Sequence, residues 1–212
     1  MKFSLYVGSK KYSLSAEDDI LKMYPEEFNC NYKVLIGNKD ILKDLQIAYK
    51  NLFQESVDKY NKNSKKIIKD YYCKVNESKK LSLATGILIK ISTLNYNLLK
   101  NKAEIITLFQ NQLKELKKIL PNFYVVSAIL YFDEEYKTFK LRVIGIPYIK
   151  DSENKLEVRL AKSSIFKRDT IEEIRLKLQI QAKNVFKEKE VKIKKFKRQR
   201  IEIEQLTLFQ IN

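Results

Sequence analysis

Residues 121–149 constrain the fold more than any other part of the chain. Phe123 to Phe132 and Thr138 to Ile149 are two runs rich in β-branched and aromatic residues, separated by a short acidic-polar turn. That composition suits a half-buried β-hairpin. In the second run Phe139, Leu141 and Val143 alternate with Lys140 and Arg142. Strand side chains repeat every two residues, so this strand has one apolar and one basic face. The whole chain contains no histidine, which removes the commonest general base and metal ligand.

The flanks follow other periods. Weak alternation at 3–7 and 11–15 around Gly8 predicts a small N-terminal hairpin, and 31–36 predicts a strand ended by Gly37. From about Asp40 to Tyr60, Ile41, Leu45, Ala48, Tyr49, Leu52, Phe53 and Val57 recur at three-four spacing, as on one buried helix face. Residues 61–80 are densely basic but interrupted by Ile67, Ile68, Tyr71 and Tyr72, which predicts a second helix with a wet basic face. A central strand is expected at 86–92 and a helix at 102–120, stopped by Pro121. Leu156 to Leu160 reads as extended, and Thr170 with Glu173 has capping-box spacing for a helix carrying Ile171, Ile174, Leu178, Ala182 and Val185. Residues 201–211 turn apolar and read as a terminal strand. Helices interrupt strands and the clearest pairing is antiparallel, so the expected class is α+β, with a central antiparallel sheet flanked by helices. The expected division is one domain over 1–185 and a basic C-terminal extension over 186–212, packing on it or projecting from it.

Lys and Arg number 42 against 26 Asp and Glu, a formal charge of +16. That excess favours a polyanionic partner, nucleic acid ahead of a membrane surface. Four basic elements are candidates to bind it. They are Lys65, Lys66 and Lys69; Lys140 and Arg142; Arg159 with Lys162, Lys167 and Arg168; and the tail residues Lys192, Lys194, Lys195, Lys197, Arg198 and Arg200. Tyr71, Tyr72, Phe186 and Phe196 are candidate stacking platforms for bases. Each basic run also reads as a solvated helix face, and each aromatic as core. Cys30 and Cys73 make neither a disulfide framework nor a metal site and fit a reducing cytosol. No apolar run is long enough to span a bilayer, and the N-terminus is too short and polar for a signal peptide, so the expected location is cytoplasmic.

Catalysis has little to draw on. Asp133, Glu134 and Glu135 are adjacent in a turn and cannot all point at one ion. The chain's four glycines form no phosphate loop, and no metal or other cofactor is implied.

The order Tyr60-Asn61, a basic block, Lys69-Asp70-Tyr71-Tyr72 and Ser78-Lys79-Lys80 resembles a segment of the Mob/Pre (MobV-type) plasmid mobilisation relaxases. So does the following strand, helix and Pro121-Asn122-Phe123-Tyr124-Val125-Val126-Ser127-Ala128. That stretch leads in the family to a strand with His-hydrophobe-Asp-Glu, a turn, and His-hydrophobe-His. This chain has Tyr131-Phe132-Asp133-Glu134, then Thr138-Phe139-Lys140. Downstream, Leu156-Glu157-Val158-Arg159 is similar to a family loop with an arginine before its next helix. The resemblance spans roughly 20–185. It implies the relaxase (HUH endonuclease)-like fold and a basic cleft for single-stranded DNA. It also implies lost nicking activity, because Tyr131, Thr138 and Lys140 stand where the family has metal-ligating histidines, and a lysine opposes a cation.

The leading expectation is therefore a catalytically inactive relaxase-like protein of a mobile element, plasmid or phage, that binds DNA or RNA through basic surfaces. A second is an interaction protein, an anti-CRISPR-like inhibitor of a host nucleic-acid-guided defence nuclease, acting through its charge or through 201–211 as an added strand. A third is a residual nuclease with Tyr6, Tyr12 or Tyr24 as nucleophile and no conventional metal site.

Overall fold

The hairpin predicted at 123–149 forms the middle of the sheet. The structure, a computed structural model, describes residues 1–7, 13–14, 31–38, 40–92, 102–133 and 138–209; at 13–14, 133 and 189–209 it describes the backbone alone. The first half runs β1 (Lys2–Val7), β2 (Ser13–Leu14), β3 (Asn31–Ile36), α1 (Ile41–Lys62), α2 (Tyr71–Asn76) and β4 (Ala84–Ser92). The second runs α3 (Lys102–Ile119), β5 (Phe123–Asp133), β6 (Thr138–Lys150), β7 (Val158–Leu160), α4 (Lys162–Ile165) and α5 (Arg168–Phe209). The class is α+β. The sheet order is β1-β4-β6-β5-β3, with β2 beside β4 and β7 beside β6, and every pairing is antiparallel.

One face of the sheet is covered by helices along its length. Ile87, Ile89 and Ile91 of β4, Phe139, Leu141 and Val143 of β6, and Ala128, Leu130 and Phe132 of β5 share it. On them pack Ile105, Leu108, Phe109, Leu113 and Leu116 of α3, and Ile174, Leu178, Ala182 and Phe186 of α5. Burying side chains of this size stabilises by roughly 1.5–3 kcal/mol each, so this layer is the main source of stability.

Among the described residues, helices cover the other face only near β7. There α1 and α2 bury Ile41, Leu45, Tyr49, Phe53, Tyr71 and Tyr72 against Ala84, Val126, Ile144 and Ile146. Asp40 caps α1 through the Lys43 N–H at 3.0 Å, and Asp70 caps α2 through the Cys73 N–H at 2.9 Å. The Tyr49 hydroxyl is buried but donates to the Leu83 carbonyl at 2.7 Å, which removes the cost of burying it unpaired. Ser56 Oγ accepts the Val158 N–H at 2.9 Å, tying α1 to β7. The nearby Lys59–Glu157 pair at 3.2 Å is exposed on both sides, so solvent screening leaves it the lesser tie.

Several expectations from the sequence need correction. Residues 3–7 and 11–15 do not make a hairpin: β1 and β2 follow one another along the same edge of β4, at Val7–Ile87 and Ser13–Thr85. Residues 61–80 are not one helix. Asn61 turns its side chain to bond both the N–H and the C=O of Ile68, which ties down the irregular chain between α1 and α2. Thr170 does not open α5, because the Ile171 N–H already bonds the Lys167 carbonyl and the helix begins at Arg168. Residues 201–209 do not form a strand: the helix runs on to Phe209, so the apolar residues there are spaced along helical backbone, and 210–211 lie outside the described residues. It also passes the expected 185–186 boundary unbroken. Tyr71, Tyr72 and Phe186 are core residues rather than stacking platforms. Cys30, Tyr12, Tyr24 and the Glu134–Glu135 turn lie outside the described residues. Among the described residues, no helix is long and apolar enough to cross a membrane.

Gly145 lies on β6 where neighbouring groups approach its backbone closely. A Cβ there would meet the Phe123 ring at 2.5 Å and the Tyr124 carbonyl at 2.7 Å. Gly145→Ala is expected to lower unfolding stability by about 2 kcal/mol with an unchanged denaturant slope, measured by urea titration. Tyr49→Phe orphans the Leu83 carbonyl and is expected to cost about 1–3 kcal/mol in the same titration.

Candidate nucleic-acid interface

Strand parity and register together define the surface that α1 and α2 leave uncovered. β5 carries one extra residue, Val126, between the pairs Val125–Gly145 and Ser127–Ile144. The bulge shifts the alternation by one, which turns Ala128, Leu130 and Phe132 to the helix-covered face and Ile129 and Tyr131 to the opposite one. β3 has a matching irregularity between Val34 and Ile36.

Three rows then cross the sheet. The first runs Lys2, Ser92, Thr138 and Asp133; the second Ser4, Lys90, Lys140, Tyr131 and Tyr32; the third Tyr6, Leu88, Arg142, Ile129 and Val34. Leu88, Ile129 and Tyr131 are buried yet belong to neither helix-covered cluster. Lys90, Lys140 and Arg142 are half-buried beside them.

The interactions within the rows are aromatic and cationic. The Arg142 guanidinium carbon sits 5.2 Å from the centre of the Tyr131 ring, within cation–π reach. The Tyr32 and Tyr131 rings are tilted with centroids 6.3 Å apart. Burial pushes the Tyr131 hydroxyl above its ordinary range, while the Arg142 charge and its hydrogen bond pull the other way. Tyr131 is therefore a neutral phenol at physiological pH, able to donate a hydrogen bond but weak as a nucleophile. Ser92 and Thr138 hydroxyls meet at 3.0 Å in the row nearest the turn. Tyr6 and Tyr32, each 47% exposed, supply open ring faces at the two flanks.

Of the residues expected to bind, this face gathers Lys140 and Arg142 and adds Lys90, Lys2, Tyr6, Tyr32 and Tyr131. Lys90 was legible only as the single charge in an apolar strand. Tyr131 was not, because a bulge sets its face. Arg159 and Lys162 lie instead beside β7, at the far end of the sheet. Lys65, Lys66 and Lys69 are exposed between α1 and α2, and Lys167 and Arg168 are exposed where α5 begins. Lys192, Lys194, Lys195, Lys197, Arg198 and Arg200 are on the α5 backbone, and their side chains, like that of Phe196, lie outside the described residues. Among the described residues, no cluster of three or more acidic or cysteine side chains suits a metal ion.

The chain matches no protein-family model, curated protein or solved structure.

Tyr49, Tyr71 and Tyr131 all have hydroxyls raised chiefly by burial. The unfolded chain releases these protons first, so the stability they contribute is intact below about pH 10 and lost as pH rises above it. Circular dichroism against pH is expected to show alkaline unfolding, with a shallower loss in Tyr131→Phe.

Proposed function

We propose that the protein is a relaxase-like binding domain without strand-cutting activity, and that the three-row face holds single-stranded nucleic acid. The observation that carries this reading is the convergence of Lys90, Lys140 and Arg142 with Tyr6, Tyr32 and Tyr131 on one sheet face outside both helix-packed layers. Half-buried cations flanked by the exposed rings of Tyr6 and Tyr32 are what sequence-tolerant single-strand binding draws on, with the buried Tyr131 positioning Arg142 rather than offering a stacking face. Lys90 and Lys140 are directly opposed across neighbouring strands, so a backbone phosphate over the pair meets two cations.

The resemblance to the Mob/Pre relaxases supports the same reading. Tyr131 and Lys140 are a cross-strand pair, and Thr138 stands opposite Asp133 one row away. The positions corresponding to the family's metal-ligating histidines are therefore neighbours on this face. A phenol, a hydroxyl and an ammonium form a poor set for a divalent cation, and Lys140 adds charge of the wrong sign. The same three groups hydrogen-bond a phosphate well. Strand binding without nicking follows, as does a setting in a plasmid or phage.

Fluorescence anisotropy with labelled single-stranded DNA and RNA, across a salt series, tests this. Binding is expected at low salt with a steep logarithmic salt dependence. Lys140→Glu with Arg142→Glu is expected to weaken it at least ~10-fold and to flatten the slope by about 0.7 for each phosphate no longer neutralised. Absent low-salt binding, or binding indifferent to the double substitution, overturns the proposal. A stoichiometric protein partner retained after nuclease treatment of a lysate would instead favour the inhibitor reading.

A further inference from the structure

At the opposite end of β6 from Lys140 is a second, separate basic feature. Pro147 is seven residues along the strand, about 23 Å at the usual rise. Here β7, α4, the loop before β4 and the start of α5 line a half-open pocket of about 520 Å³. Lys80, Arg159 and Lys162 line it together with the hydroxyl residues Ser82, Ser163 and Ser164, and among the described residues no carboxylate lines it. The remaining wall is apolar, formed chiefly by Leu160, Phe166 and Ile171. Phe166 is fixed edge-on against Phe123, with ring centroids 5.3 Å apart.

We propose that this pocket binds a nucleoside phosphate, its phosphate among Lys80, Arg159, Lys162 and the serines, and its base against Phe166 and Leu160.

Two features point to an anion. Arg159 reaches Asp151 through Nη2 at 3.6 Å, long for a hydrogen bond, and its Nε is a buried donor without a hydrogen-bond partner among the described residues. A buried guanidinium donor in this state is costly, and a phosphate oxygen satisfies it in the fork geometry arginine favours. Burial also lowers the pKa of Lys162, an effect that a bound anion offsets. The volume and the fixed ring exclude a bare ion as the natural occupant. A space of 520 Å³ holds far more than a phosphate, and an aromatic face beside a cationic cluster suits a base joined to its phosphate. The nucleoside phosphate is either a free mononucleotide or the phosphorylated end of a strand. The inference does not depend on the three-row face.

The probes are inorganic phosphate, adenosine 5′-monophosphate, and a short single-stranded oligonucleotide with and without a 5′-phosphate, each titrated calorimetrically into the full chain. The mononucleotide is expected to bind at one site and more tightly than inorganic phosphate. Lys80→Gln, an exposed loop substitution, and Lys162→Gln are each expected to weaken it ~5-fold or more, while Lys140→Glu leaves it unchanged. Tighter binding of the phosphorylated oligonucleotide, competed by the mononucleotide, assigns the site to a strand end; equal binding of the two oligonucleotides with a tight mononucleotide assigns it to the free nucleotide. No mononucleotide binding by the folded protein, or binding that Lys80→Gln and Lys162→Gln leave intact, overturns the proposal. Because Lys140→Glu tests the open face alone, loss of strand binding there and loss of nucleotide binding here are separately readable.

Discussion

Strand β6 is hydrogen-bonded to β4 on one side and to β5 on the other, and its two-residue repeat decides what each layer of the molecule contains. Phe139, Leu141 and Val143 fall beneath α3 and α5, which forces Lys140 and Arg142 onto the other face. A single-residue slip in either ladder would exchange these sets and place two cations in the core. The bulge at Val126 carries the same parity into β5 after a change of phase, and so delivers Tyr131 to the row of Lys140. Backbone pairing thus fixes the chemistry of the exposed surface before any side chains meet.

The second face is divided by the reach of one helix. α1 is held near β7 by Tyr49 on Leu83 and by Ser56 on Val158, and its apolar stripe packs with Ala84, Val126, Ile144 and Ile146 of the sheet and with Tyr148, Val158 and Leu160 at the β7 end. Toward Asp133 and Thr138 the sheet's own residues on this face change from aliphatic to cationic and hydroxylic, so the described residues there offer a helix little apolar surface to cover. The two basic features consequently differ in character. The three-row face is broad and tyrosine-rich, whereas the β7 pocket is a half-open concavity with a single fixed ring.

Much of this was readable in the amino-acid order. The α1 and α3 stripes, the 86–92 strand and the central hairpin all have strong local periods, and all formed within two residues of their expected limits. The errors share a cause: weak local signals decided by distant partners. The 3–14 segment alternates like a hairpin, but β4 offers each piece a longer ladder. Residues 63–70 have helical composition, yet the Asn61 side chain captures Ile68 and holds that segment in irregular bends. At the site, the alternation of Lys140 and Arg142 was plain. Their neighbours were not, since Tyr131 depends on the Val126 bulge and Lys80 meets Arg159 only through tertiary packing.

The strand order has a further consequence, for how the sheet is assembled. Each edge strand comes early in the chain and waits for a partner far along it: β1 for β4, β3 for β5. The hairpin at the centre is the one local pairing of long strands, and it is among the later segments to leave the ribosome. Such a topology carries a high contact order, which slows folding because distant loops must close before the pairings reward them. β3 lacks β5 until residue 133 is made and β4 lacks β6 until residue 150 is made, so the early strands have open edges and no completed apolar layer. Lys33 on β3 and Lys2 on β1 then serve as charges at those edges, which discourage pairing between nascent chains during the wait.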